Sequence, residues 1–112
     1  MSLTFRKLRE INIARSKDVY PPFDHFDDWV YAVERESKEV LNTCKKLKRY
    51  EDSRSGTKWL SRQDLLGMLG DEIANTVIYL DLLAARASID LDAAVRCKFN
   101  ETSIELKCDH RL

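Results

Sequence analysis

The sequence predicts an all-α fold, a bundle of four to five helices, on three observations. Apolar residues recur at steps of three, four and seven along most of the chain. No segment alternates with a strand's period of two over a useful length. The three Gly and two Pro are few, and they punctuate the periodic stretches. A chain of 112 residues reads as a single domain, 1–112, with one modest core.

Each helix has a start signal. Ser2 or Thr4 can cap the first, which carries Phe5, Leu8 and Ile11 along one side. It should stop before Tyr20-Pro21-Pro22, because proline disfavours helical geometry in the residue preceding it. A second helix starts between Asp24 and Asp28 and runs to about Tyr50, with a stripe of Trp29, Val33, Val40, Cys44 and Leu47. The polar run from Glu51 to Thr57 reads as a loop. Ser61 or Asp64 opens a third stretch that continues through Arg86, with Gly67 and Gly70 as places where it can break. Asp90 or Asp92 caps a last helix bearing Leu91, Val95, Phe99 and Leu106.

Composition excludes several classes. Hydrophobic residues make up 44% and charged residues 34%, and 19 basic residues balance 19 acidic ones, so net charge selects no partner. Cys44, Cys97 and Cys108 have no metal-ligand spacing and read as buried or free thiols in a reducing compartment. His25 and His110 are too scattered for zinc. No apolar run approaches the ~20 residues of a membrane span, and the N-terminus lacks a signal-peptide core. A cytoplasmic protein with no membrane partner is expected.

The third helix poses the chemical question. Its stretch Gly70–Arg86 is apolar on nearly every side, yet Asp71, Glu72 and Asn75 crowd the first turns of that stretch and Asp81 stands alone further on. A buried carboxylate costs several kcal/mol unless it is paired, hydrogen-bonded or bound to a metal. On the second helix, Glu36 lies about 40° from Val40, at the margin of the apolar stripe, and Glu39 is its i,i+3 neighbour. Glu72 and Asn75 repeat that spacing. Two helices that each bring such a pair to the border of a buried face can build an all-oxygen site suited to Mg²⁺ or Mn²⁺. The plainer alternative makes Glu36 and Glu39 part of a solvated face, which the mixed charges of residues 34–39 also allow. Asp81 reads as structural, paired to a Lys, Arg or backbone donor.

Lys45, Lys46, Lys48, Arg49, Arg54, Lys58 and Arg62 form a basic cluster. It is either a solvated face that complements the helix dipole or, beside a metal, a clamp for a triphosphate. The adjacent acids argue against an extended nucleic-acid track. Trp29, Trp59 and Tyr79 are candidate base-stacking residues, although Trp29 also fits the core stripe.

Taken together, these stretches resemble the MazG-like nucleoside triphosphate pyrophosphohydrolases of the all-α NTP pyrophosphatase superfamily. The resemblance covers nearly the whole chain. It rests on Glu36-Ser-Lys-Glu39 running into Lys45-Lys46, on Glu72-Ile-Ala-Asn75 running into Thr-Val-Ile-Tyr-Leu-Asp, on Asp27-Asp28-Trp29, and on Lys98-Phe99-Asn100. It implies Mg²⁺-dependent hydrolysis of a nucleoside triphosphate, by preference a deoxynucleotide, to the monophosphate and pyrophosphate. Glu36, Glu39, Glu72 and Asn75 would hold the metal, and Glu36 or Glu39 would orient or deprotonate the water. Lys45, Lys46, Arg49 and Lys98 would neutralise phosphates, and Asn100 would hydrogen-bond the nucleotide or a phosphate. It also implies a homodimer or tetramer. One departure stands out: Asn75 occupies the place of an Asp ligand, so it offers a carbonyl oxygen but no charge. The rival reading is a catalytically inactive helical module that binds nucleotide or another protein.

Overall fold

A computed structural model describes residues 2–19, 26–52 and 60–112. These form four helices and no strand: α1 (Phe5–Val19), α2 (Phe26–Glu51), α3 (Arg62–Arg86) and α4 (Leu91–Glu105). No helix among the described residues is long and apolar enough to cross a membrane. The chain divides into two compact units, Met1–Phe26 with Asp81–Leu112, and Asp27–Leu80.

Three of the four helix starts are fixed by short polar side chains. Thr4 Oγ1 accepts the backbone N–H of Lys7 at 3.1 Å. Ser61 and Asp64 form a reciprocal box: Asp64 N donates to Ser61 Oγ at 3.0 Å, and Ser61 N donates to Asp64 Oδ2 at 3.0 Å. Those bonds favour the ionised carboxylate and hold the Asp64 carboxyl below its ordinary value. Asp90, not Asp92, caps α4 by accepting from Ala93 N at 3.2 Å.

The α3 helix passes through Gly67 and Gly70 without a break. Glycine costs a helix interior roughly 1 kcal/mol relative to alanine, an amount that packing overrides. The helices that end near Ser88 and Lys107 do so in left-handed turns, with φ of 58° and 56°. Ile89 N donates to Ala84 O and Ser88 N to Ala85 O at 2.8 and 3.0 Å, and Cys108 N and Lys107 N repeat the pattern on Ser103 O and Ile104 O. Both turns are Schellman motifs built without the usual glycine.

In the unit made of both termini, α1 and α4 lie against one another. Asp81 is fully buried at its centre. Its Oδ1 accepts from Arg9 Nε at 3.0 Å and its Oδ2 from Asn12 Nδ2 at 3.1 Å, which ties α1 to the end of α3. The structural role expected of Asp81 is therefore observed. Among the described residues, Leu82 and Ala84 are the buried apolar side chains of this unit, and Arg86 lies over the Phe26 ring at 4.6 Å.

The other unit is a helical hairpin of α2 and the first part of α3. Trp29 stacks on Tyr79 with centroids 6.3 Å apart, Thr43 bonds Glu72, and Arg62 bonds Glu51, so the two helices run antiparallel. The residues of α2 buried here are Trp29, Glu36 and Thr43, spaced by seven. That seam differs from the stripe read off the sequence. Cys44 is exposed and Val33, Val40 and Leu47 are only half-buried, because the contact line is rotated by roughly 40° toward Glu36.

Candidate metal and phosphate site

The hairpin brings Glu36, Glu39, Glu72 and Asn75 into one unit, on facing helices that run in opposite directions. Glu36 is 5% exposed, which rules out a solvated position for this acid, whereas Glu39 is exposed. Glu72 is half-buried and Asn75 exposed. The site thus has a buried side and a side open to water.

Burial raises the Glu36 carboxyl above its ordinary value, and the charge of Glu39 and a hydrogen bond with it push in the same direction. The Arg35 charge and hydrogen bonding by the Asn75 side chain oppose the shift. Arg35 is a weak counterion, 3.8 Å from Glu36 Oε1 with its side chain 62% exposed. Thr43 donates its hydroxyl to Glu72 Oε2 at 3.1 Å. Two carboxylate oxygens remain buried without a hydrogen-bond partner, Glu36 Oε2 and Glu72 Oε1, one on each helix. A buried, unsatisfied carboxylate oxygen is costly, and a cation is one way to satisfy it.

The donor chemistry of these four residues suits a hard divalent ion, since every ligand atom is oxygen. Among the described residues, however, no three Asp, Glu, His or Cys side chains converge as a metal cage. Asn75 adds no charge to this seam. Asp71, a neighbour that could restore the charge, is exposed.

The basic residues of α2 follow the acids along the same helix. Lys45 and Arg49 are exposed and Lys46 is half-buried, while Arg62 is engaged by Glu51 at 2.9 Å. Arg54, Lys58 and Trp59 lie outside the described residues, as does His25. Trp29 is 6% exposed and its ring is stacked on Tyr79, the core arrangement that its spacing allowed.

Lys98 and Asn100 belong to the other unit, on α4. Lys98 pairs with Glu101 at 3.5 Å. Asn100 is engaged twice by the backbone of one residue: Leu112 N donates to Asn100 Oδ1 at 2.8 Å, and Asn100 Nδ2 donates to Leu112 O at 3.3 Å. A cavity of about 1150 Å³ in that unit is lined by Arg6, Arg9, Arg96 and Asn100 among others, and by none of the four acidic-seam residues. Two of its arginines are already paired, Arg9 with Asp81 and Arg96 with Asp92, so the cavity presents little free positive charge.

What the sequence reading missed is Thr43. It fixes one oxygen of Glu72, and its position seven residues after Glu36 was the available signal. No protein-family model, curated protein or solved structure matches this chain.

Proposed function

We propose that this protein is a divalent-metal-dependent nucleoside triphosphate pyrophosphohydrolase, with Glu36, Glu39, Glu72 and Asn75 as the metal-binding set and a deoxynucleoside triphosphate as the favoured substrate. The observation that carries the proposal is the pair of buried, unpartnered oxygens, Glu36 Oε2 and Glu72 Oε1, within one hairpin. The sequence resemblance to MazG-like enzymes supplies the reaction type.

Mg²⁺ or Mn²⁺, when bound, would supply positive charge that stabilises the phosphate oxygens. Glu36 and Glu72 would hold it from the buried side, with Asn75 contributing a neutral carbonyl. Glu36 or Glu39 would orient a water and take its proton, and the exposure of Glu39 to solvent supports it in that role. The new bond joins that water's oxygen to the α-phosphorus. The bond that breaks links the α-phosphorus to the oxygen that leaves with pyrophosphate. Lys45, Lys46 and Arg49 follow Glu39 on α2 and would offset the triphosphate charge. The resemblance adds Lys98 and Asn100 as phosphate and nucleotide contacts, Trp29 as a base contact and a homodimer or tetramer as the assembly.

The test is pyrophosphate release across the common NTPs and dNTPs with Mg²⁺ or Mn²⁺, on the parent chain and on Glu36→Gln. Metal-dependent release that Glu36→Gln abolishes supports the enzyme. The second reading, a nucleotide- or protein-binding module without turnover, is favoured by one observation: Asn75 brings a neutral amide, not a further carboxylate, to the acidic seam. Nucleotide binding without any release of pyrophosphate would select that reading.

A further inference from the structure

Thr43 is 2% exposed, and its hydroxyl has a single proton to donate. A threonine inside a helix commonly spends that proton on the carbonyl four residues earlier in its own helix. Thr76 does so, donating to Glu72 O at 2.8 Å. Thr43 instead donates across the hairpin, to Glu72 Oε2 at 3.1 Å. Both partners belong to the hairpin unit.

The bond makes the two oxygens of one carboxylate unequal. Oε2 is committed to the hydroxyl, whereas Oε1 is buried and has no hydrogen-bond partner. Glu36 has the same asymmetry on the facing helix: Arg35 stands 3.8 Å from Oε1, and Oε2 is buried and unpartnered. Each helix therefore offers one buried oxygen, not a pair.

That difference separates hard cations. Ca²⁺ takes roughly six to eight oxygens at about 2.3–2.6 Å and readily binds both oxygens of one carboxylate. Mg²⁺ demands a near-octahedral shell at about 2.1 Å and keeps several waters. The two oxygens of one carboxylate lie too close together to fill neighbouring octahedral positions at so short a distance.

We propose that Thr43 is a positioning residue that selects Mg²⁺ over Ca²⁺ at the acidic seam, by holding Glu72 Oε2 so that only Oε1 is offered to an ion. The inference rests on the metal reading of the seam given above. Use of both oxygens requires the Glu72 carboxylate to turn away from Thr43, which leaves a buried hydroxyl without its partner. Use of Oε1 alone requires no turn.

Calorimetric titration with magnesium chloride and with calcium chloride tests it, on the parent chain, Thr43→Val and Thr43→Ser. Circular dichroism checks that each variant keeps its helix content. Thr43→Val removes the hydroxyl at nearly constant shape and should weaken Mg²⁺ binding about tenfold, the usual effect of losing a group that orients a metal ligand. Ca²⁺ binding, free to use both oxygens, should hold or tighten. The ratio of the two affinities should thus move about tenfold toward Ca²⁺, and Thr43→Ser, which keeps the hydroxyl, should leave it near the parent's. A purely structural Thr43 would lower both affinities together and leave their ratio unchanged. Should Thr43→Val lose helix content, Thr43→Ala, with the best helix former, carries the same comparison. A ratio unmoved by loss of the hydroxyl, or moved as far by Thr43→Ser, overturns the inference while the metal site stands. A parent chain that binds neither ion overturns the metal reading and this inference with it.

Discussion

Replacing Asn75 by Asp separates the two readings of the acidic seam most sharply. Asn75 is exposed but acts on Glu36, which is 5% exposed and already disfavoured as an anion by burial and by Glu39. Without metal, Asn75→Asp removes a polar neighbour that favours the ionised form of Glu36 and adds a like charge. Two unit charges ~4 Å apart at an effective dielectric of ~20 interact by about 4 kcal/mol, and solvent at the exposed Asp would screen most of that. A net loss of about 1–2 kcal/mol is expected, or roughly 4–8 °C in melting temperature for a domain of this size. With Mg²⁺ the sign reverses, because the added carboxylate attracts the dication. A gain of about 1–2 kcal/mol corresponds to roughly five- to thirty-fold tighter binding. Calorimetric titration of Mg²⁺ and thermal melting with and without metal, on both forms, measure these effects. If Asn75→Asp binds Mg²⁺ no more tightly and melts lower by the same amount in both conditions, the metal assignment of this seam is wrong.

Other predictions follow from named contacts. The folded state holds the Glu36 proton above the ordinary value of 4.5, so this group's contribution to stability is complete below that pH and is lost as pH rises through the raised value. Glu36→Gln should therefore flatten the fall in stability with rising pH in metal-free buffer and melt above the parent at neutral pH; urea titrations from pH 4 to 8 that show an unaltered slope would contradict this. Asp81→Ala strands the Arg9 guanidinium, whose side chain is 22% exposed, and should cost about 3 kcal/mol, or ~12 °C by scanning calorimetry. Lys107→Gly relieves a left-handed backbone at φ 56° and should raise stability by about 0.5–1 kcal/mol in urea titration. A loss there would mean that the Lys107 side chain holds the tail in some other way.

The legible parts of this fold were those governed by local rules. Thr4, Ser61 with Asp64, and Asp90 announced helix starts because a cap needs only a short acceptor three residues before its donor. The third helix ends at Arg86, where the sequence placed it, but the left-handed turns at Ser88 and Lys107 were not announced, since sequence rules give that residue of a Schellman turn to glycine. Gly67 and Gly70 misled in the opposite sense. Each reads as a possible break, yet a penalty of roughly 1 kcal/mol is small beside the packing along a helix that buries Leu65, Leu82 and Ala84. The site was half legible. Spacing placed Glu36 and Glu72 at the edge of their buried faces, but it could not show that Glu36 goes inside while Glu39 stays in water. A rotation of roughly 40° about α2 decides that, and the partner helix sets the rotation.

The hairpin would hold together at least as well with an apolar pair in place of its acids. Replacing buried ionic groups by hydrophobic ones of similar size is commonly neutral or stabilising by about 1–4 kcal/mol. A polar layer kept only to fix the register of two helices needs one matched pair, and Thr43 with Glu72 already provides it. Glu36 and Glu39 exceed that need. They set two acids side by side, one of them buried, with only the weakly placed Arg35 opposite. Asn75 favours the ionised form of Glu36, and Glu36 Oε2 and Glu72 Oε1 remain unsatisfied. The residual strain is electrostatic and of one sign, and a dication relieves it where a further hydrogen-bond donor would relieve it only in part. On this reasoning the metal-free hairpin should gain more stability from Mg²⁺ at pH 8 than at pH 5, because only ionised Glu36 attracts the ion. Equal gains at the two pH values would show that Glu36 takes no part in binding it.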